Sequence, residues 1–181
     1  MINKALRQYL RMNYGEEVWK EIAEVAGVHH AGFISLETYP DELTYALVLG
    51  ASRIIERAPD DILEELGEYW ITFTASEGYG DFFLRYDDNI IEFMDYLNAM
   101  HVRLMLLHPK MRIPKFELKK QSKNTFSLHY FSERKGLAPM VKGLLRGLSK
   151  KFSQPISITH IDSLSVDDAA HEIFRIELLA N

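Results

Sequence analysis

The chain has 181 residues, a formal net charge of −5 and no cysteine, and 47% of its residues are hydrophobic. This length suits a single domain with a sizeable core, and the negative charge disfavours nucleic-acid binding as the main function. The lack of cysteine excludes disulfides, thiolate catalysis, and cysteine-ligated zinc or iron–sulfur clusters. No apolar run approaches the roughly 20 residues of a membrane span, and the start lacks a signal peptide's apolar region. We therefore expect a cytoplasmic protein.

The first half of the chain is predicted to be mostly helical, because apolar residues recur there at helical spacing. The predicted helices cover residues 2–13, 16–26, 41–57 and 61–74. Gly15 interrupts the first two, and Gly27 is expected to end the second. A loop is expected over residues 77–81.

The second half mixes both kinds of element. A helix is predicted to begin at Ile90 in the stretch 90–114, and a second one covers 137–152, with Pro139 in its first turn, where the missing N–H is tolerated. Alternating patterns predict strands over residues 115–119, 125–132, 156–161 and 172–179, with a turn at 122–124. The expected fold class is α+β, with an N-terminal helical part packed on an antiparallel sheet and its helices.

One helix of the second half carries a histidine within an apolar stripe. Residues three or four apart share a helix face, and this face comprises Met94, Leu97, His101, Leu104, Met105 and His108. A buried neutral imidazole needs a partner, which can be a metal ion or an ordinary hydrogen-bonding group. The helix alone favours the hydrogen-bonded core histidine.

Three polar side chains follow one another on the strand 125–132 and just beyond it. Tyr130, Ser132 and Arg134 point to the same side of an extended chain, because side chains two apart do so. A phenol, a hydroxyl and a guanidinium can together bind carboxylates, the guanidinium in bidentate fashion. Taken alone, the pattern also fits an exposed strand end with an ordinary polar face.

The sequence resembles the H-NOX family, the haem nitric oxide/oxygen-binding domains of bacterial gas sensors and of animal soluble guanylate cyclase. The resemblance covers essentially the whole chain. Its motifs are GEEVWKEIAEVAGV, YPDELTYALV, LGEYWITFT, EGYGDF, the histidine of YLNAMHVRL, the proline of RIPKFEL, and LHYFSERKGLAPMVKGLLRGL. The tyrosine-x-serine-x-arginine motif at this distance after such a histidine is the most specific of them.

This resemblance implies a haem b cofactor buried between a distal helical part, residues 1–60, and a proximal α+β part, residues 61–181. His101 would be the axial ligand of the iron, and Pro114 would press on the porphyrin and distort it. The propionates would be held by Tyr130, Ser132 and Arg134. The distal pocket would include Ile2, Leu6, Trp70, Thr74, Met140 and Leu144.

The remaining histidines are assigned lesser roles. His108 shares the stripe of His101 but has no counterpart in the family, so it is the second choice as iron ligand. The others are expected on the surface or on strands: His29, His30, His129, His160 and His171.

The resemblance also suggests which gas is bound. Family members that hold dioxygen carry a distal tyrosine early in the helix after the Tyr-x-Ser-x-Arg motif, whereas here the stretch 137–141 has no hydroxyl. We therefore expect a sensor of nitric oxide, also able to bind carbon monoxide, that excludes dioxygen. The indole N–H of Trp70 is the one exception considered, although an aromatic side chain in a helix more often serves packing.

By resemblance, the chain is of the stand-alone bacterial type that signals to a separate protein, such as a histidine kinase, a cyclic-di-GMP enzyme or sometimes a chemotaxis protein. Nitric oxide would weaken the bond from iron to His101, and the helical part would shift against the rest. No membrane or nucleic-acid partner is expected.

Three alternatives are kept. An enzyme is disfavoured, because the sequence has no nucleophile elbow, no hydrolase histidine pair and no phosphate loop; Gly143 and Gly147 form a small-residue helix spacing instead. A haem-free interaction module would be colourless, with the His101 stripe packed in the core. An oxygen-binding haem protein is disfavoured by the apolar distal residues.

Overall fold

The structure, a computed structural model, describes residues 1–28, 32–34, 37, 39–84, 89–107, 112–166 and 169–179. The helices are α1 (Ile2–Val25), α2 (Asp41–Ile54), α3 (Pro59–Thr74), a π-helical turn (Ala75–Tyr79), α4 (Gly80–Leu84), α5 (Ile90–Leu107) and α6 (Ala138–Lys151). The strands are β1 (Lys115–Lys120), β2 (Thr125–Ser132), β3 (Ile156–Val166) and β4 (Ala169–Leu178). They form an antiparallel sheet in the order β1-β2-β4-β3, which confirms the α+β class.

Glycines explain most of the irregularities in the helical half. Gly15 has φ 91° and ψ 170°, so α1 is broken where the sequence predicts an interruption. The loop predicted over residues 77–81 is wrong: the chain continues as a π-helical turn and α4, with the change of direction taken up at Gly78 (φ 96°). Residues that carry a side chain rarely adopt such a φ, whereas glycine adopts it without steric cost.

The sheet has one face towards the protein interior and one towards solvent. On β2 the inward residues Phe126, Leu128 and Tyr130 are buried, as expected for alternating side chains. The strand β3 is longer than the predicted 156–161 because its exposed, polar second half has no apolar alternation to reveal it. A register shift between His160 and Asp162 also disturbs its pattern.

The core consists of two clusters of buried apolar side chains. One lies among α1, α2 and α3, and the other lies between α5, α6 and the inner face of the sheet. Because α3 and α6 each contribute to both clusters, they join the two parts of the fold. A boundary at residue 60 stays a prediction.

Glycines allow α3 and α6 to pack with their backbones in close contact. A Cβ atom at Gly143 would collide with the carbonyl oxygen of Glu64, and one at Gly67 would collide with that of Met140. Three ion pairs flank the crossing: Glu64–Lys142 at 3.0 Å, Glu64–Arg146 and Glu68–Lys150. The small-residue spacing seen in the sequence is therefore a helix-packing device.

In the described part of the chain, none of the helices combines the length and the apolar character needed to cross a membrane.

Candidate functional site

A mostly apolar cavity of about 300 Å³ lies between the two clusters. It is lined by residues of α1, α3, α5 and α6 and by the inner face of the sheet. Several of its polar side chains lie on α5 and at the end of β2. Such a cavity, with few polar groups among apolar walls, is typical of a ligand or cofactor site.

His101 is the histidine that lines this cavity among the described residues. Its Nδ1 lies 3.0 Å from the carbonyl oxygen of Pro114, which can only accept a hydrogen bond. Nδ1 therefore carries the proton, and Nε2 keeps its lone pair. A backbone carbonyl that fixes the tautomer in this way is the usual arrangement behind a metal-binding histidine.

The electrostatics of His101 agree with a neutral ligand. Burial lowers the pKa of the imidazole from its ordinary value of 6.5, and the hydrogen bond to Pro114 opposes that effect only in part. A neutral imidazole is the form that binds a metal ion.

Phe116 lies against the His101 ring and Asn98 binds the backbone of Phe116; sequence reasoning missed both residues. The ring of Phe116 lies 5.8 Å from the imidazole at an angle of 39°. Asn98, one helical turn before His101, accepts a hydrogen bond from the Phe116 backbone N–H at 3.4 Å. These contacts join α5 to β1. The spacing of Asn98 from His101 was the only available sign in the sequence.

Tyr130, Ser132 and Arg134 all line the cavity, as their alternation predicts. Tyr130 is 4% exposed. Burial raises the pKa of its phenol, although the hydrogen bond with Ser132 and the charge of Arg134 lower it. Ser132 Oγ accepts the backbone N–H of Arg134 at 3.0 Å, which fixes the chain as it leaves β2.

Arg134 provides a test of whether a carboxylate-bearing cofactor fits. Its Nε lies 2.7 Å from Oδ1 of Asp41 but is buried without a hydrogen bond of acceptable geometry. Asp41 pairs with the charge, but a buried N–H without a well-aligned acceptor is unfavourable unless another oxygen completes its bonding. A propionate of haem would do so, and the donor set of a neutral imidazole with a phenol, a hydroxyl and a guanidinium fits that cofactor.

Asp41 and Arg112 belong to the same charged cluster and were not identified from the sequence. Arg112 Nη1 lies 3.1 Å from Asp41 Oδ2, and its Nε lies 3.3 Å from Glu133. In the sequence, Asp41 stands out only as an acidic residue in the first turn of α2. No local pattern indicates that it contacts residues so distant along the chain.

The structure brings together five of the six residues predicted for the distal pocket. The cavity is lined by Ile2, Trp70, Thr74, Met140 and Leu144. Leu6 is fully buried in the N-terminal cluster and is not among the described residues that line the cavity. The hydroxyl of Thr74 donates to the carbonyl of Trp70 at 2.8 Å, one turn earlier in α3, so it is occupied within its own helix.

Asn3 is a polar residue on the distal side that sequence reasoning missed. It lines the cavity at only 2% exposure, and its Oδ1 accepts a hydrogen bond from Thr44 Oγ1 at 2.7 Å. Asn3 shares a helix face with Leu6 and Leu10. Its position as a polar residue within an apolar stripe was the indication in the sequence that it could be buried at a site.

The stripe predicted on the His101 helix is only partly buried. Met94 is buried and Leu97 and Leu104 line the cavity, but Met105 is 37% exposed, so its expected burial is wrong. The helix is described as far as Leu107. His29, His30 and His108 lie outside the described residues.

Comparisons with known proteins agree with this geometry. The model of the haem-NO-binding family matches residues 1–160. The soluble guanylate cyclase gcy-34 of Caenorhabditis elegans is 30% identical over 161 residues, which is 87% of this chain and 24% of the relative. The guanylate cyclase soluble subunit beta-2 of Rattus norvegicus is 33% identical over 91 residues, covering 50% of this chain and 13% of the subunit. The chain thus spans about a quarter or less of these relatives.

Solved structures share the fold. An oxygen-binding H-NOX domain related to soluble guanylate cyclases matches with a TM-score of 0.83 at 23% identity, covering 97% of this chain and 92% of that one. A mutant of the T. tengcongensis H-NOX matches with a TM-score of 0.86 at 22% identity, covering 97% and 94%. The H-NOX domain binds haem and is a sensor domain, not a catalytic one. From the family match over residues 1–160, the chain belongs to the haem-NO-binding, or H-NOX, family.

Proposed function

We propose that this chain is a haem-based sensor that binds nitric oxide at ferrous haem b and signals to a separate effector protein. The observation that carries the proposal is the His101 imidazole, whose Nδ1–H is held by the Pro114 carbonyl at 3.0 Å while the ring lines an apolar cavity. When bound, haem supplies a ferrous iron that can bind a diatomic gas. His101 would hold that iron.

The other residues of the site would hold and shape the cofactor. Tyr130, Ser132 and Arg134 would bind the propionates, because buried carboxylates need charged or hydrogen-bonding partners. Pro114 lines the cavity next to its contact with His101, which supports a role in pressing on the porphyrin.

Nitric oxide is favoured over dioxygen by the distal wall. Met140 and Leu144 on α6 are apolar, and the Thr74 hydroxyl is bonded to its own helix. Bound dioxygen takes on negative charge and is stabilised by a hydrogen-bond donor, whereas nitric oxide binds ferrous iron strongly without one. Carbon monoxide, which is also neutral in the complex, is expected to bind.

The effector would be a histidine kinase or a cyclic-di-GMP enzyme in the cytoplasm of a bacterium, in line with the stand-alone members of the family. The signal would be a change in the packing of the helical part against the sheet once His101 no longer holds its position.

The test is an anaerobic visible spectrum of the purified ferrous protein, repeated with nitric oxide and, separately, in air. We expect a five-coordinate haem spectrum that shifts with nitric oxide and forms no stable complex in air. Purification of the full chain without any haem band, after supplying haem during expression, would contradict the proposal.

Dioxygen binding is the second candidate, and specific side chains favour it. Asn3 and Trp70 both line the cavity and both carry N–H donors. A stable oxygenated spectrum in air would assign the site to dioxygen and would direct attention to these two donors.

A further inference from the structure

The solvent-facing side of the sheet carries a pair of histidines that the haem site does not use. His129 on β2 and His171 on β4 are diagonal neighbours, since His171 lies opposite Phe131 in the strand register. The distance between His129 Nδ1 and His171 Nε2 is 2.9 Å. Both residues are half-buried.

Neighbouring side chains hold both rings in this arrangement. Ser127 Oγ lies 3.3 Å from Nε2 of His129, so it can accept a hydrogen bond from Nε2–H in the tautomer that leaves Nδ1 with its lone pair. The ring of Phe131 stacks on that of His171, with 4.2 Å between centroids and 18° between planes. A ligand histidine whose other nitrogen donates to an oxygen is the arrangement typical of metal sites.

The charge state of His129 also suits a metal ligand. Burial lowers the pKa of its imidazole, and the positive charge of Lys119 lowers it further. Both effects favour the neutral ring, which can bind a metal ion without first losing a proton.

We propose that His129 and His171 form a surface site for a divalent transition-metal ion of the zinc class. Imidazole nitrogens bind zinc at about 2.0–2.1 Å, so the two nitrogens need to separate by only a few tenths of an ångström from 2.9 Å. His171 would carry its proton on Nδ1 in the bound form, and no proton would be released. The described residues contain no cluster of three or more potential ligands, so water completes the coordination.

The acidic residue nearest to this pair in the sheet register is Glu117. It lies opposite His129 on β1, and it forms an ion pair with Lys115 at 2.6 Å. Its carboxylate is therefore already bound to a cation. We do not include it among the ligands.

The position of the site connects it to the haem cavity. Tyr130 follows His129 on β2 and points to the opposite face of the sheet, where it pairs in register with Glu172 of β4. A metal ion on the outer face would tie β2 to β4 directly behind Tyr130. Zinc should therefore raise the melting temperature of the protein, because a ligand that binds only the folded state stabilises it.

The test is calorimetric titration of Zn²⁺ into the chelator-treated, haem-loaded chain, with the melting temperature measured in parallel. We expect one Zn²⁺ per chain and at least tenfold weaker binding in His129→Gln and in His171→Gln. His160→Gln, which removes another histidine of the same sheet, is the matched control and should bind as the unchanged protein does.

The outcomes are distinguishable from each other. Absence of Zn²⁺ binding, or binding that survives both His129→Gln and His171→Gln, would overturn the proposal. Loss of binding in His160→Gln alone would move the site to His160 and Glu172, which lie 2.8 Å apart. If either glutamine variant loses its haem spectrum, the titration is repeated with His129→Asn and His171→Asn.

Discussion

The two walls of the cavity are held in place by different forces. On the side of α5 and β2, polar side chains make directed contacts, as with His101 and the Pro114 carbonyl or Ser132 and the Arg134 backbone. The opposite wall, formed by α1, α3 and α6, is mostly apolar and is held by helix packing. Under the proposed function, cofactor retention would therefore depend on directed bonds, whereas the choice of gas would depend on the shape and polarity of the wall formed by α1, α3 and α6.

The largest expected effect comes from removing the ligand on the hydrogen-bonded wall. His101→Ala should abolish most haem binding. The expected loss of affinity exceeds the roughly 10–100-fold loss that follows from removing a hydrogen-bonding partner of a metal ligand. The ratio of haem absorbance to protein absorbance after purification measures this. His160→Ala is the control, since His160 lies on β3 and is not among the described residues that line the cavity. Full haem content in His101→Ala would mean that another group ligates the iron.

Replacing the guanidinium of Arg134 should have the next largest effect on haem retention. Arg134→Met removes a charge-assisted contact to a propionate, and hydrogen bonds to charged groups contribute about 1.5–3 kcal/mol. Haem transfer to an excess of apomyoglobin should become at least tenfold faster. Arg146→Met is the matched control and should change the rate less, because Arg146 pairs with Glu64 and is not among the described residues that line the cavity. Equal effects of the two variants would contradict a specific role for Arg134.

The pKa of His101 predicts how acid affects the chain freed of haem. Burial lowers that pKa in the folded state below its ordinary value of 6.5, so the unfolded chain binds more protons below pH 6.5. The free energy of unfolding should then fall with decreasing pH, by at most about 1.4 kcal/mol per pH unit from this group. Urea titrations of the unchanged chain and of His101→Gln measure the difference; parallel curves would argue against a buried neutral imidazole.

On the wall formed by α1, α3 and α6, a hydroxyl introduced by substitution should change which gas the haem binds. Met140→Tyr places a donor on α6 facing the cavity, and a net hydrogen bond contributes about 0.5–1.5 kcal/mol. The ferrous Met140→Tyr protein should bind dioxygen roughly two- to tenfold more tightly than Met140→Phe, which has the same ring without the hydroxyl. Titration of both ferrous proteins with dioxygen, followed by visible absorption, measures this affinity. Identical affinities would show that position 140 does not face the gas.

The smallest effect is expected for Trp70→Phe. If the indole serves packing, as its contact with Phe73 at 5.8 Å between ring centroids suggests, the spectrum in air should be unchanged. The stretching frequency of bound carbon monoxide, which responds to nearby donors, is the sensitive measurement. A clear shift of that frequency in Trp70→Phe, but not in Asn3→Leu, would make the indole a donor to the gas.

Much of this site follows from local sequence patterns. Tyr130, Ser132 and Arg134 share one side of an extended chain, and the structure places all three at the cavity, as strand alternation requires. The break in α1 follows from Gly15 in the same way, and the start of α2 follows from Pro40 and the acidic residues of the first turn.

The remaining features depend on contacts between distant segments. Asp41 meets Arg134 only once α2 is packed beside the end of β2, and no spacing in the sequence encodes that contact. The second half of β3 is an exposed edge that is held by pairing with β4. It lacks the apolar alternation by which a strand is normally identified in a sequence. Gly78 in the sequence indicates a change of direction, but the π-helical turn around it has no distinct sequence pattern.

The close packing of α3 on α6 has a consequence for how such a pocket can diversify. Gly67 and Gly143 leave no room for a methyl group at the crossing, so any larger residue there would displace Trp70 and Thr74 relative to Met140 and Leu144. Residues behind the cavity lining therefore determine the width of the cavity. Variation in which ligand the cavity accepts can arise at this helix crossing, while every side chain that lines the cavity stays the same.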